Sequence, residues 1–170
     1  NYASNTQPEI IQCTHEEIAV AVAHGYAKAA GKPMACAVHN VVGLQHASMA
    51  VYNAYTDRAP VIVLGGTGPM DITTRRPWID WLHTALVQGE LVRDYVKWDD
   101  QPASVAAIPE SFLRGYRTAT MHPQGPVYIC YDLTIQAERV GDDLVMPETS
   151  HFAPPSTPGP DPAALRTLAR

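Results

Sequence analysis

Short apolar segments alternate with stretches of helical periodicity along most of the chain. The apolar segments, which we predict to be strands, cover residues 9–13, 34–39, 60–66 and 125–131. Helical periodicity follows Thr14 and then covers residues 44–55 and 103–121. Strands separated by helices in this way are typical of a parallel sheet with helices on both of its faces. The pattern therefore predicts the α/β fold class.

The helix after Thr14 opens with two adjacent glutamates, Glu16 and Glu17. Thr14 and Glu17 have the spacing of a capping box, and Glu17 lies on the narrow polar side of the helix. Glu16 instead lies at one end of a stripe of small apolar residues. The stripe continues through Val20, Ala23, Ala27 and Ala30. Desolvation there would raise the pKa of Glu16, as in many functional sites, whereas the alternative is a first-turn acid favoured by the helix dipole.

The composition narrows the class of ligand. The chain has 170 residues, 46% of them hydrophobic, which is enough for one domain with a core. The formal net charge of −5, without a basic cluster, argues against nucleic acid or an anionic membrane as partner and favours a small molecule. No apolar run reaches the length of a membrane span, and the opening residues lack a signal-peptide pattern, so we predict a cytoplasmic protein.

Three cysteines, Cys13, Cys36 and Cys130, lie far apart inside apolar segments. Their odd number and wide spacing favour reduced core thiols over a disulfide framework or a zinc motif. The sequence therefore predicts no metal site within this chain.

The composition changes after Asp132, where a proline-rich stretch follows. Its prolines are at positions 154, 155, 158, 160 and 162. Asp161 and Pro162 then have the pattern of an N-cap and a first helical residue. We expect a first domain over residues 1–146, without its N-terminal part, and a linker with the start of a second domain over 147–170.

Four segments of the chain resemble the pyrimidine-binding (PYR) domain of thiamine diphosphate enzymes of the pyruvate decarboxylase, benzoylformate decarboxylase and acetolactate synthase type. The segments are THEEIAVAVAHGYAKAAGKP, VYNAYTDRAPVIVLGG, LVRDYVKW and HPQGPVYI, and the resemblance covers residues 9–133. It implies a flavodoxin-like, three-layer arrangement of a parallel sheet between helices, truncated at both ends.

The resemblance also implies the site residues. Glu16 corresponds to the glutamate that hydrogen-bonds the aminopyrimidine of the cofactor and favours the tautomer whose amino nitrogen takes a proton from the thiazolium ring. His39 matches an active-site histidine of benzoylformate decarboxylase. His83 falls where pyruvate decarboxylases carry a pair of histidines. The resemblance therefore implies that His39 and His83 both shuttle protons. In the segment after His39, Asn40 and Gly43 are implied as further cofactor contacts.

The same resemblance implies partners that this chain lacks. The motif that holds Mg²⁺ and the diphosphate belongs to another domain of these enzymes, supplied by a second subunit. We therefore expect the isolated chain to be inactive and to bind thiamine diphosphate weakly. A homodimer or homotetramer acting on a small 2-oxo acid is implied for the whole protein.

Several functions remain open on the sequence alone. Non-oxidative decarboxylation of a 2-oxo acid is favoured by His39 and His83, and the alternative is a carboligase or lyase of the acetolactate synthase type. A stand-alone PYR subunit that needs a partner chain is a third possibility. A small flavodoxin-like nucleotide-binding module would need a phosphate loop, for which the glycines of residues 63–71 are the candidate.

Overall fold

The computed structural model describes residues 8–142 and 144–169. Four strands and six α-helices form the framework. In chain order they are α1 Glu16–Ala30, β1 Met34–Ala37, α2 Asn40–Thr56, β2 Val61–Thr67, α3 Ile79–Leu82, β3 Asp99–Asp100, α4 Ile108–Thr120, β4 Val127–Asp132, α5 Leu133–Ala137 and α6 Pro162–Leu168. Short 3-10 turns lie at Ile72–Thr74, Gln88–Leu91, Arg93–Tyr95, Val105–Ala107 and Thr149–Phe152. No helix in these ranges combines the length and the apolar character needed to cross a bilayer.

The strands form one parallel sheet in the order β1-β2-β4-β3. Cys36 of β1 lies opposite Val63 of β2, which in turn lies opposite Tyr128 of β4. Because every strand runs the same way, the carboxyl ends of β1 and β2 reach the same edge of the sheet. The α/β fold class predicted from the sequence is confirmed.

Both faces of the sheet are covered, and alternate strand residues point to opposite faces. Val61, Val63 and Tyr128 pack in a core with α1 and α2, whereas Ile62 and Ile129 pack in a second core under α4. Small residues dominate the contact between α1 and α2, so these two helices approach closely. The buried alanines at this contact are Ala23, Ala27, Ala47, Ala50 and Ala54.

Two local predictions near the start of the chain are wrong. Residues 9–13 form no strand, and Ile10 and Ile11 are 58% and 62% exposed. Their apolar character favours a strand, but a strand also needs a neighbour for its backbone hydrogen bonds, and none of the described residues pairs with them. The N-cap of α1 is His15, not Thr14, because the His15 ring nitrogen Nδ1 accepts the backbone N–H of Glu17 at 3.2 Å.

The predicted N-cap of the last helix is confirmed, because Asp161 caps α6 by accepting the backbone N–H of Ala163. At the end of α1, Gly31 adopts the left-handed conformation, with a φ of 65° that glycine adopts without steric cost. Two of the three glycines of the candidate phosphate loop do not lie in a loop: Gly65 and Gly66 are buried inside β2, and Gly68 follows the strand. The nucleotide-binding alternative thus loses most of its motif.

Candidate functional site

A cavity of about 750 Å³ lies between residues 8–16 and the outer edge of the sheet. Mainly apolar residues line it, together with polar residues that include His15, Glu16 and His39. The apolar lining includes Ile10, Ile11, Ala19, Val22, Met34 and Leu64. Concave, mostly apolar spaces with a few convergent polar groups are the usual form of small-molecule sites. The cavity therefore has the form of a small-molecule site.

Two cysteines, Cys13 and Cys36, also line this cavity. Both are free thiols, and burial raises the pKa of Cys36 to about 12. A thiol with so high a pKa carries almost no thiolate at neutral pH, so Cys36 is unreactive. Its position agrees with the core role predicted for it.

Glu16 is the first residue of α1, and its side chain is 26% exposed. It lies directly against Gly43 of α2. A Cβ atom added to Gly43 would lie 3.0 Å from Cγ and 3.1 Å from Oε1 of Glu16, and 3.2 Å from Cβ of His39. Three of the predicted site residues thus meet at one point, and the absence of a side chain at position 43 leaves room for the carboxylate.

The expectation that burial raises the pKa of Glu16 is wrong. The pKa of Glu16 is lowered below its ordinary value, chiefly because its own backbone N–H donates a hydrogen bond to the carboxylate. Partial desolvation acts in the opposite direction, and His46 and His15 lower the pKa further. The helix start and the two imidazoles outweigh the apolar stripe behind Glu16, so the carboxylate is ionised at neutral pH.

His39 follows β1 and occupies the N-cap position of α2. Within the described part of the chain its side chain makes no capping hydrogen bond to that helix. The imidazole is exposed and lines the cavity. The imidazole therefore does not cap the helix, and it lies at the carboxyl end of the strand, where α/β sheets bind ligands.

His83 follows α3, and its ring lies 5.2 Å from the ring of His39, centroid to centroid, with a 30° tilt. Its Nδ1 hydrogen-bonds the backbone oxygen of Ile79 at 2.7 Å. Asn40, at the start of α2, donates from Nδ2 to the His83 backbone oxygen at 3.4 Å. Asn40 thus supports the segment that carries His83 and is not among the described residues that line the cavity.

Asp80 holds the same segment in place, a role that no sequence motif indicates. Its side chain is only 4% exposed and accepts the backbone N–H of Arg76 at 2.7 Å and the Arg76 guanidinium at 2.9 Å. These bonds hold the pKa of Asp80 below its ordinary value. The hydroxyl of Thr84 donates to the backbone oxygen of Asp80, so one residue ties both ends of the turn.

Trp78 precedes α3 in a strained conformation, with φ of 68° and ψ of −59°. The Ile79 N–H donates to the Pro77 oxygen at 2.9 Å, which makes this a γ-turn of the rare, strained form. Strained backbone persists only where the surroundings hold it, and it concentrates at functional sites. Here the strained residue lies next to Ile79, whose oxygen orients His83.

Two more histidines lie beside Glu16. His46 of α2 has its Nδ1 atom 3.6 Å from Oε2 of Glu16, and the rings of His15 and His46 stack with centroids 5.0 Å apart. His15 is also the N-cap of α1. The contact between His46 and Glu16 has no local sequence signal, because it depends on how α1 and α2 pack.

Residues 1–91 match the family model of the thiamine pyrophosphate enzyme N-terminal TPP binding domain, which is more than half of the chain. The chain belongs to this family. Thiamine pyrophosphate is thiamine diphosphate under another name, so the recognition made from the sequence motifs is confirmed.

Relatives of this chain have more than one activity in their names. Benzoylformate decarboxylase of Pseudomonas aeruginosa is 26% identical over 115 residues, which are 68% of this chain and 21% of that protein. Acetolactate synthase of Bacillus subtilis is 25% identical over 124 residues, 73% of this chain and 21% of that protein. The chain spans about a fifth of the length of these curated relatives.

A solved structure supports the same relationship. The crystal structure of benzoylformate decarboxylase from Polynucleobacter necessarius superposes with a TM-score of 0.79 at 25% sequence identity. The superposition covers 98% of this chain and 30% of that chain. The four-stranded parallel sheet is thus the fold expected of a thiamine pyrophosphate enzyme.

The residues at this site fit the pyrimidine end of thiamine pyrophosphate. An ionised carboxylate at Glu16 can accept a hydrogen bond from a ring nitrogen that carries a proton. Gly43 keeps the space beside that carboxylate open, and the apolar cavity suits a flat heteroaromatic ring. His39 also lies beside Gly43 and lines the cavity, so a molecule held by Glu16 would lie close to its imidazole.

Proposed function

We propose that this chain is the pyrimidine-binding part of a thiamine diphosphate-dependent enzyme that decarboxylates a 2-oxo acid without oxidation. The observation that carries the proposal is the meeting of Glu16, Gly43 and His39 at one side of an apolar cavity. Family membership supports the cofactor. The neighbouring pair of His39 and His83 supports proton transfer as a step of the reaction.

Glu16 binds the ring nitrogen of the aminopyrimidine and shares a proton with it. When bound, the cofactor would supply a nucleophilic carbanion for the substrate ketone, and its thiazolium ring would serve as the sink for the electron pair left by CO₂. Because the pKa of Glu16 is low, its carboxylate enters the complex ionised and acts as a hydrogen-bond acceptor. Covering of the site by a second domain would exclude water and strengthen this bond.

His39 and His83 bind the substrate and transfer protons to it. An imidazole near neutral pH can donate a hydrogen bond to a substrate carboxylate and can deliver a proton to carbon after CO₂ has left. The Nδ1 atom of His83 is engaged with the Ile79 oxygen, so its Nε2 atom is the one available for exchange. His39 lines the cavity, and we assign it the contact with the substrate carboxylate.

A carboligase or lyase is the second candidate, because relatives named acetolactate synthase match this chain at a sequence identity similar to that of the decarboxylases. In that reaction a second carbonyl compound takes the place of the proton. Product analysis separates the two functions: an aldehyde indicates decarboxylation, and a hydroxyketone or hydroxy-keto acid indicates carboligation.

Further features of the whole protein belong to the same proposal. Residues 1–146 form the PYR domain, and 147–170 lead into a middle domain. The diphosphate and Mg²⁺ are held by a different domain, on this polypeptide or on a partner chain. The assembly is a cytoplasmic homodimer or homotetramer in which each site lies between two subunits.

The experiment measures CO₂ release by the complete protein with thiamine diphosphate and Mg²⁺, using pyruvate, benzoylformate and phenylpyruvate. Glu16→Gln should lower kcat by about 10²-fold or more, since an amide cannot share the proton. Glu17→Gln is the matched control, because Glu17 is the adjacent exposed carboxylate, and it should keep full activity. Equal rates for the two variants would contradict the assignment of Glu16, and no cofactor-dependent release from any acid would contradict decarboxylation.

A further inference from the structure

Three side chains with metal-binding atoms converge where the first turn of α1 meets α2. They are His15, Glu16 and His46, and each offers one ligand atom within 4.8 Å of the other two. His15 and His46 are exposed, and Glu16 is partly buried. A solvated ion can therefore reach all three. The set combines two imidazoles and one carboxylate: His15 and Glu16 are adjacent at the start of α1, and His46 lies on α2.

The separation between His46 and Glu16 fits a shared ion better than a direct hydrogen bond. Nδ1 of His46 lies 3.6 Å from Oε2 of Glu16, beyond the usual hydrogen-bond range. Two ligands of a tetrahedral zinc ion, with bonds of about 2.0 to 2.2 Å, stand roughly 3.4 Å apart. An ion between these two atoms would thus need little movement of either side chain, and His15 would complete a set of three.

We propose that His15, Glu16 and His46 form a site for a divalent transition-metal ion such as Zn²⁺. Two imidazoles and a carboxylate suit Zn²⁺, Ni²⁺ and Cu²⁺, whereas Mg²⁺ prefers oxygen ligands. Exposure of the histidines leaves at least one further coordination position for water. The site is therefore distinct in chemistry from the Mg²⁺ that accompanies thiamine diphosphate.

Metal binding has a local structural consequence at His15. Its Nδ1 atom accepts the Glu17 backbone N–H, so the ring proton is on Nε2 when the imidazole is neutral. Coordination through Nδ1 replaces this bond, and coordination through Nε2 moves the proton to Nδ1. Either mode releases the Glu17 N–H. The ion and the helix cap thus compete for one imidazole.

The site also has a functional consequence, which rests on the proposed function. Glu16 is the carboxylate assigned to the pyrimidine of the cofactor. An ion that holds Glu16 would withdraw it from that role. Zn²⁺ is therefore expected to compete with thiamine diphosphate and to inhibit the enzyme reversibly.

The binding test uses the chain without an affinity tag, titrated with CoCl₂ and followed by visible absorption. One Co²⁺ per chain should bind, ZnCl₂ should displace it, and excess MgCl₂ should leave the spectrum unchanged. His46→Asn should weaken binding about tenfold or more, and so should His15→Asn, in which asparagine preserves an N-cap residue. His151→Asn, at an exposed histidine outside the cluster, should bind like the unchanged chain.

Two results would overturn the metal site: no saturable Co²⁺ binding, or equal affinity in the His46→Asn variant and the unchanged chain. A nuclear magnetic resonance signal of the Glu17 amide that does not move on ZnCl₂ addition would exclude coordination by His15. Competition is measured separately, as the thiamine diphosphate affinity of the complete protein with and without ZnCl₂. An unchanged affinity would overturn the inhibition and leave the metal site standing. Failure of the proposed function would show instead as full activity of Glu16→Gln.

Discussion

The imidazoles of His39 and His83 lie 5.2 Å apart, centroid to centroid, although one follows β1 and the other follows α3. The two rings come from different elements. The His39 side chain makes no capping hydrogen bond to α2 among the described residues, although its backbone oxygen accepts the Gly43 N–H. The His83 ring is bonded to the Ile79 oxygen. The pair forms one unit beside Glu16 and Gly43.

This proximity gives the first expected outcome. In the complete protein His39→Ala and His83→Ala should each lower kcat by about 10²-fold or more, as is usual for the loss of a positioned acid or base. Because the rings act together on one substrate, the double variant should lose little more than the worse single variant. Steady-state kinetics on all four proteins measures this. Losses that multiply would show that the two histidines act independently.

Gly43 provides a test that separates stability from cofactor binding. Alanine stabilises a helix by about 1 kcal/mol relative to glycine. At position 43, however, the added Cβ would lie 3.0 Å from Cγ of Glu16, so the carboxylate must move. Gly43→Ala should therefore retain or raise the unfolding temperature while weakening thiamine diphosphate binding about tenfold or more.

Gly25→Ala is the matched control for this change. Gly25 is also a helix glycine, in α1, and a Cβ atom added there would meet nothing within 4 Å. It should raise stability without affecting the cofactor. Thermal unfolding and calorimetric titration of both variants in the complete protein give the two quantities. Unaltered cofactor affinity in Gly43→Ala would remove the argument that this glycine keeps space for Glu16.

Asp80 provides a test that depends on pH. Its pKa is lowered, chiefly by the hydrogen bond from the Arg76 side chain, so the unfolded chain binds the proton more tightly than the folded chain does. The ion pair therefore stabilises the fold fully above the ordinary pKa of about 4, and this contribution is lost as pH falls through the lower folded pKa. Asp80→Asn should lose this part of the pH dependence.

The same variant should also reduce the contribution of His83 to activity, because the turn that carries His83 loses its anchor. We expect a lower kcat with an unchanged affinity for thiamine diphosphate. Urea unfolding between pH 3 and pH 7 measures the first effect, and kinetics measures the second. Asp94→Asn, at an exposed carboxylate, is the control. A pH dependence of stability equal to that of the unchanged protein would contradict the role given to the Asp80–Arg76 pair.

Much of the framework followed from local patterns. The strands at β1, β2 and β4 and the helices α1, α2 and α4 all lie where the hydrophobic periodicity placed them, with ends shifted by a few residues. The helix predicted over 103–121, for example, is α4 Ile108–Thr120 preceded by a 3-10 turn. Periodicity is a local property, and it reports which face of each element is buried.

The failures share a cause. Residues 9–13 have the composition of a strand, but strand formation depends on a partner for the backbone, which no local pattern reveals. The sign of the pKa change at Glu16 depends on a balance between its own N–H, desolvation and His46, and the last of these lies on another helix. No motif indicates the role of Asp80, because that role depends on the folded turn that its hydrogen bonds hold together.

The sequence by itself thus determined the fold class, the family and the identity of Glu16, His39 and His83 as candidates, because these rest on periodicity and on motifs of adjacent residues. Only the tertiary structure decided that Gly43 lies against Glu16, that His83 meets His39, and that His46 completes a cluster with His15. Those contacts join residues that are remote in the chain. They arise when α1, α2 and the turn after β2 pack at one edge of the sheet.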